Sequence, residues 1–280
     1  MPIITLSTGS LYSYGIARVF ELAANAGFEA IEVLIDHRWD SRQPAYLKRL
    51  SRESRLPVVT VHSPFAPSVP GWPSDPLGRL RRSASLAREL GAGVVVTHLP
   101  LRVHGARLEF FGVSRSPMML PLPLPVSGDY RRFLLNDLAR FENEEQVLVG
   151  VENMPAKRAF GRRVQIHSLN TLDDLANLPH LTLDTTHLGT WGLDLVAAYE
   201  QLKERIVHVL LSNFDGREHR LPQEGYLPTA EFLQSLRRDG YEGAVSVELH
   251  PDALQPEDEA QVQVRLQSVV AFCREHLGRG

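Results

Sequence analysis

Six short hydrophobic runs in this chain each carry, at or near their end, a side chain able to bind a metal or move a proton. They are AIEVLID with Glu32, PVVTVH with His62, GVVVTH with His98, VLVGVE with Glu152, LTLD with Asp184 and AVSVE with Glu248. The runs are continuous and β-branched rather than alternating, the pattern of strands buried on both faces of a parallel sheet. Segments with helical spacing separate them. In a closed parallel barrel the C-terminal ends of all strands open on one mouth, so residues far apart in sequence would share one pocket. A buried carboxylate is costly unless it is paired or bound to a metal. For any one of these acids, an ion pair with an arginine explains the position; for the whole row it does not.

The alternation predicts eight βα units. Strands are expected at 3–7, 30–35, 58–62, 94–98, 147–152, 181–184, 206–211 and 244–248. Helices are expected near 15–26, 43–54, 76–90, 129–145, 172–178, 193–202, 229–239 and 256–277. This is an α/β chain read as a single (β/α)8 barrel spanning 1–280, a length close to the ~250 residues typical of such barrels. The segment after the first strand, STGSLYSYG, is not a glycine-rich dinucleotide fingerprint, so no nucleotide cofactor is expected. The rhythm breaks once, at 99–128, where a long, apolar, proline-rich insertion follows strand 4. Its place on the mouth side makes it a lid or the arm of a homodimer, with Phe110, Phe111, Met118 and Met119 as contacts. A segment that merely packs on the rim fits equally well.

Composition narrows the partners. A net charge of −3 and a pI near 6.4 argue against a nucleic-acid or membrane-surface footprint, leaving a small-molecule substrate as the expected partner. The single cysteine, Cys273, follows the apolar stretch VVAF, so it reads as core rather than as a nucleophile, and no intrachain disulfide can form. The N-terminus lacks a signal-peptide pattern and no run approaches the ~18 apolar residues of a membrane span, so the cytoplasm is the default location.

Converging carboxylate and imidazole donors are what a divalent ion such as Mn²⁺, Zn²⁺, Mg²⁺ or Co²⁺ needs. Glu152, Asp184 and Glu248 are the carboxylate candidates. His62 and His98 hold equivalent ends of adjacent strands beside Glu152. The spacing D-T-T-H brings His187 to the same cavity as Asp184, and Trp191 follows as a wall. Glu32, Asn153, Trp191 and Asn213 are expected near the mouth as substrate contacts. His104, His167, His180 and His276 offer no argument for a site.

The segments VENMP, LTLDTTHLG, LSNFDGREHRLPQEGYL and VELHP resemble the xylose-isomerase-like TIM barrels. That group holds sugar and sugar-phosphate isomerases and epimerases, and the endonuclease IV type of abasic-site nuclease (AP endonuclease family 2). The epimerase branch implies one metal on Glu152, Asp184, a strand-7 residue and Glu248, with Glu152 and Glu248 exchanging the substrate proton. The nuclease branch implies a zinc cluster that adds His62, His98, His187 and His219. Two positions depart from these patterns. Leu210 stands where the strand-7 histidine is expected, with His208 one layer deeper, and Arg217 stands where the nuclease has an acid. The resemblance therefore points first to a metal-dependent isomerase or epimerase of a small polyhydroxylated carbonyl compound. A phosphodiesterase with a reduced metal cluster and a non-catalytic ligand-binding barrel are the alternatives.

Overall fold

The computed structural model describes residues 1–66, 68–108, 118–125, 128–159 and 161–278. Eight parallel strands close into a barrel: β1 (Ile3–Ser7), β2 (Ala30–Leu34), β3 (Val58–His62), β4 (Val94–His98), β5 (Leu148–Glu152), β6 (Leu181–Asp184), β7 (Ile206–Leu211) and β8 (Ala244–Val247). Each strand pairs with its neighbours in sequence order, and β1 pairs with β8 to close the ring. The expected (β/α)8 architecture is what forms.

Alternation of side chains along the strands divides the barrel into two surfaces. Ile4, Leu6, Ile31, Val33, Val61, Val95, Val149, Val151, Leu183, Val209, Val245 and Val247 join the core under the helices. The residues between them, including Thr5, Glu32, Thr60, Glu152, Thr182, Asp184, His208 and Ser246, are buried but polar. Four apolar residues of that second set, Ala30, Val96, Leu210 and Ala244, are buried outside the helix-packed core. The barrel interior is thus unusually rich in hydroxyl, carboxyl and imidazole groups. Gly150 belongs to this interior: a Cβ there would run into the Thr182 hydroxyl of the neighbouring strand.

The outer layer is α1 (Ile16–Ala26), α2 (Pro44–Ser54), α3 (Pro76–Leu90), α4 (Asp129–Asn136), α5 (Leu138–Glu145), α6 (Leu172–Ala176), α7 (Thr185–Trp191), α8 (Leu195–Leu202), α9 (Thr229–Arg238) and α10 (Glu259–Leu277). Local chemistry sets their limits. Asp75 caps α3 through the Gly78 amide with Pro76 opening the helix, Asp194 caps α8, and Asp258 caps α10. The helix expected at 129–145 is two helices that meet at Asp137. The helix expected from 256 begins after its Asp258 cap.

The insertion is not shapeless. Val103–Leu108 and Met118–Pro125 pair as an antiparallel hairpin. Prolines at alternate positions of MMLPLPLP remove amide donors from one edge only, which a two-stranded ribbon tolerates. Met118 and Met119 lie on that second strand, whereas Phe110 and Phe111 lie outside the described residues. A second hairpin, Lys157–Ala159 with Arg162–Val164, follows β5 and was not expected. Among the described residues no helix is long and apolar enough to cross a membrane.

Candidate metal centre

Glu152, the last residue of β5, stands in register with His98 on β4 and Thr182 on β6. Its Oε2 lies 3.4 Å from His98 Nε2 and 3.5 Å from His62 Nε2, and those two nitrogens are 3.1 Å apart. Three donor atoms thus surround a common point. Its other oxygen, Oε1, lies 3.1 Å from His187 Nδ1, and that nitrogen is 3.5 Å from Asp184 Oδ2. Asp184, His187 and His219 form a second group, and within each triad the donor atoms lie within 4.8 Å of one another. Glu152 therefore faces both triads.

The local fold explains how these side chains meet. Asp184 caps α7, its Oδ1 accepting the His187 amide at 2.9 Å, so D-T-T-H is the first turn of a helix that carries His187 back over the strand end. Asn153 locks the pair. Its Oδ1 accepts from the Asp184 amide at 2.8 Å, its Nδ2 donates to the Asp184 carbonyl at 3.0 Å, and its own carbonyl lies 2.8 Å from His187 Nδ1. His219 sits at φ 59, a left-handed conformation that non-glycine residues seldom adopt and that is often held at functional sites. Backbone pairing of Asn213 with Arg220 and a 2.8 Å bond from the His250 amide to the His219 carbonyl hold it there.

Two observations test whether a metal fits. Glu152 Oε2 and Asp184 Oδ2 are buried and have no hydrogen-bond partner, one orphaned oxygen in each triad. Such a group costs about 1–3 kcal/mol, more when charged, unless something binds it. Each triad also offers two imidazoles and a carboxylate, a donor set that suits a borderline divalent ion and leaves coordination positions open. The residues fit. His62, His98 and Glu152 would hold one ion, and Asp184, His187 and His219 a second.

Electrostatics follow from crowding four acids and several imidazoles in one interior. Burial lowers the pKa of His98 to about 3, and burial with the nearby His187 does the same for His219, so both are neutral. Burial alone would lower His187, but Asp184 and Glu152 outweigh it and raise that pKa to about 10. Burial would raise Glu152, yet His187 and His62 hold it well below the usual carboxylate range. Asp184 is lifted by burial, against His187, to about 7. Glu248, just past β8 and partly accessible, is lifted by burial and by Glu32, Glu152 and Asp184 to about 8, so it keeps its proton at neutral pH.

Three of the residues expected to contact substrate have side-chain atoms engaged within the protein. Both Glu32 oxygens are engaged inside the barrel, Oε2 at 2.6 Å from His208 Nε2 and Oε1 at 3.4 Å from His62 Nδ1, an arrangement that orients His62. Asn153 uses its amide on Asp184, as above. Asn213 uses its amide to fold its own loop, donating to the Pro222 and Leu227 carbonyls and accepting from the Phe214 and Leu227 amides. Trp191 is 9% exposed and donates to the Met154 carbonyl at 2.8 Å, so it is a fixed wall. His208 lies one layer deeper than Leu210, paired in register with Thr182, as its position in the run implied.

Glu218 joins the site although it ends no strand and so leaves no signal in the sequence. Its carboxylate lies 3.8 Å from His187 Nε2 and 3.5 Å from Lys157 Nζ. Arg217 stands where an acid is expected, yet the next residue supplies one on the same loop.

A family model described as "Xylose isomerase-like TIM barrel" matches residues 20–268. An uncharacterized protein of Mycobacterium tuberculosis is 29% identical over 301 aligned positions, covering 99% of this chain and 98% of that one. Among solved structures, the 3-keto-D-glucoside 4-epimerase of E. coli is similar at 20% identity, TM-score 0.65, covering 98% of this chain and all of that one. The AP endonuclease, family 2, of Brucella melitensis is similar at 17% identity, TM-score 0.68, covering 97% and 99%. At such identities the structures attest the fold alone. The model match spans most of the chain, over the same strands that carry both triads: this chain belongs to the xylose isomerase-like TIM barrel family.

Proposed function

We propose that the chain is a divalent-metal enzyme that hydrolyses a phosphoester of a small polyhydroxylated compound. The observation that carries this reading is the pair of orphaned carboxylate oxygens, one in each imidazole-rich triad, with Glu152 facing both. Divalent ions held by His62, His98 and Glu152 and by Asp184, His187 and His219 would supply an activated water and neutralise charge on a phosphoryl oxygen. The chain's own groups do the rest. Glu32 holds the His62 ring, and neutral His98 and His219 present lone pairs. Glu248, proton-bearing and reachable from the mouth, donates to the oxygen that leaves as the ester bond breaks. A net charge of −3 favours a small substrate over a polynucleotide. The name of the similar Brucella structure, an AP endonuclease, supports phosphoester cleavage as a chemistry within reach of this fold.

A second reading, isomerisation or epimerisation, is favoured by a different observation. Glu152 is held ionised while Glu248 keeps its proton, and opposed preferences of this kind mark base and acid in proton transfer. The epimerase named among the similar structures agrees with it. Leu210 weighs against it. This buried apolar residue stands in register with Asp184 and Ser246, where that chemistry needs a fourth ligand.

The test is direct. Chelated protein is reloaded with Zn²⁺ or Mn²⁺, metal per chain is measured, and cleavage of p-nitrophenyl phosphate and its diester is followed. Two ions per chain and metal-restored cleavage are expected. One ion, no cleavage, and solvent deuterium entering a ketose would establish the second reading instead.

A further inference from the structure

His167 lies outside both triads, on a loop tied to the end of β4. It sits on an isolated antiparallel bridge with Leu101, secured by the Arg102 amide to the Ile166 carbonyl at 2.9 Å and the Ser168 amide to the Pro100 carbonyl at 2.8 Å. This bridge ties the loop leaving β4 to the loop leaving β5, so the residue is fixed above the junction that holds His98 and Glu152. The charges that act on its ring are His187, Glu152 and Lys157, and it acts in turn on His98. The ring therefore lies within electrostatic reach of members of both triads. It is 6% exposed, and Nδ1 is buried with no hydrogen-bond partner. Glu32, Asn153 and Asn213 meet their needs within the protein, whereas this imidazole does not. A buried ring nitrogen fixed by a backbone bridge, within electrostatic reach of both triads and lacking a partner, is arranged to meet something that arrives.

We propose that His167 is a substrate-contacting residue, its Nδ1 hydrogen-bonding an oxygen of the molecule bound over the two triads. The inference rests on the reading of this pocket as the substrate site. Burial lowers its pKa to about 4, so at neutral pH the ring is uncharged and selects a hydroxyl or phosphoryl oxygen by hydrogen bonding rather than by charge.

The experiment uses the full chain loaded with Mn²⁺ and two probes, inorganic phosphate and xylitol, with affinity read from water-proton relaxation and metal per chain from elemental analysis. His167→Ala is expected to bind the preferred probe roughly tenfold more weakly at unchanged metal content. His167→Asn, whose amide falls near Nδ1, should recover most of the affinity, and His167→Gln should not. The Asn and Gln comparison stands even if the alanine variant fails to fold. Unchanged affinity in the variants overturns the proposal, as does loss of metal, which would make His167 a ligand of the ion. A wild-type chain that loads metal but binds neither probe overturns the pocket reading itself, and does so without any variant.

Discussion

Two layers of buried acid and imidazole sit one above the other in this barrel, and they are treated in opposite ways. In the lower layer, Glu32 has a partner for each oxygen, and His208 is engaged by Glu32 on one side, with Thr60 Oγ1 3.5 Å from its other nitrogen. In the upper layer, Glu152 Oε2 and Asp184 Oδ2 have none. The residue types are the same and the burial is the same. What differs is whether hydrogen-bonding capacity is closed within the protein. A closed layer belongs to the fold, and an open one is maintained at a cost to stability that a ligand repays.

The sharpest way to break that comparison is to remove one acid from each layer. Glu152→Ala should empty both triads and lower activity by more than ~100-fold, since even residues that only support a metal ligand contribute 10–100-fold. The metal-free variant should lose less stability than Glu32→Ala does, because the deletion removes an orphaned oxygen, Oε2, along with the contact between Oε1 and His187. Elemental analysis, turnover and urea unfolding check the three parts. Glu32→Ala should instead lose about 1–3 kcal/mol of stability by leaving the buried His208 Nε2 without its hydrogen-bond partner. Equal destabilisation by the two substitutions would erase the distinction between the layers.

A smaller effect appears in the pH dependence of the metal-free chain. His98 and His219 titrate near 3 when folded against 6.5 unfolded, so the unfolded state binds more protons between these values and stability rises with pH across that window. Asp184, at about 7 against 3.8, and Glu248, at about 8 against 4.5, act in the opposite sense: the folded state holds the extra proton and stability falls as pH climbs through those ranges. His187, at about 10 against 6.5, extends the fall. Above pH 6.5 only the falling contributions remain, so the melting temperature should drop toward pH 10 in chelator. Saturating Zn²⁺ should flatten that limb, because the ion takes the place of the retained protons. An identical slope with and without metal would remove the ion from the upper layer.

The smallest expected effect is a gain. Leu210→His adds a donor in register with Asp184 and should tighten metal binding about tenfold, at the low end of what supporting groups contribute. Calorimetry with Mn²⁺ reads it. No change would mean that the second triad is closed without help from β7.

The strand ends were legible because period two and an apolar run fix which residue reaches the mouth, and D-T-T-H because a helical turn returns its fourth residue over the first. The eight strands followed from the same signals. What stayed hidden depends on partners far away in sequence. Asn153 and Asn213 resemble substrate amides until the backbone atoms they bind are known, up to 31 residues distant for Asn153 and 14 for Asn213. Glu32 looked like any other strand-end acid because its partner His208 lies 176 positions away. His167 belongs to a one-residue bridge, too short to leave any periodicity. The hairpin in the insertion did leave a trace, in the alternate prolines of its second strand.

The clamp that Asn153 makes has a consequence for how the centre fills. Asn153 follows Glu152 directly and grips both backbone groups of Asp184, so the acid of one triad and that of the other are mounted on a single rigid piece. On the proposed two-metal reading, a shift of Glu152 on filling one triad would be carried through this clamp to Asp184 and the His187 turn, coupling the two sites. Titration with Mn²⁺ is then expected to depart from that of two independent sites, and Asn153→Ala to restore independence.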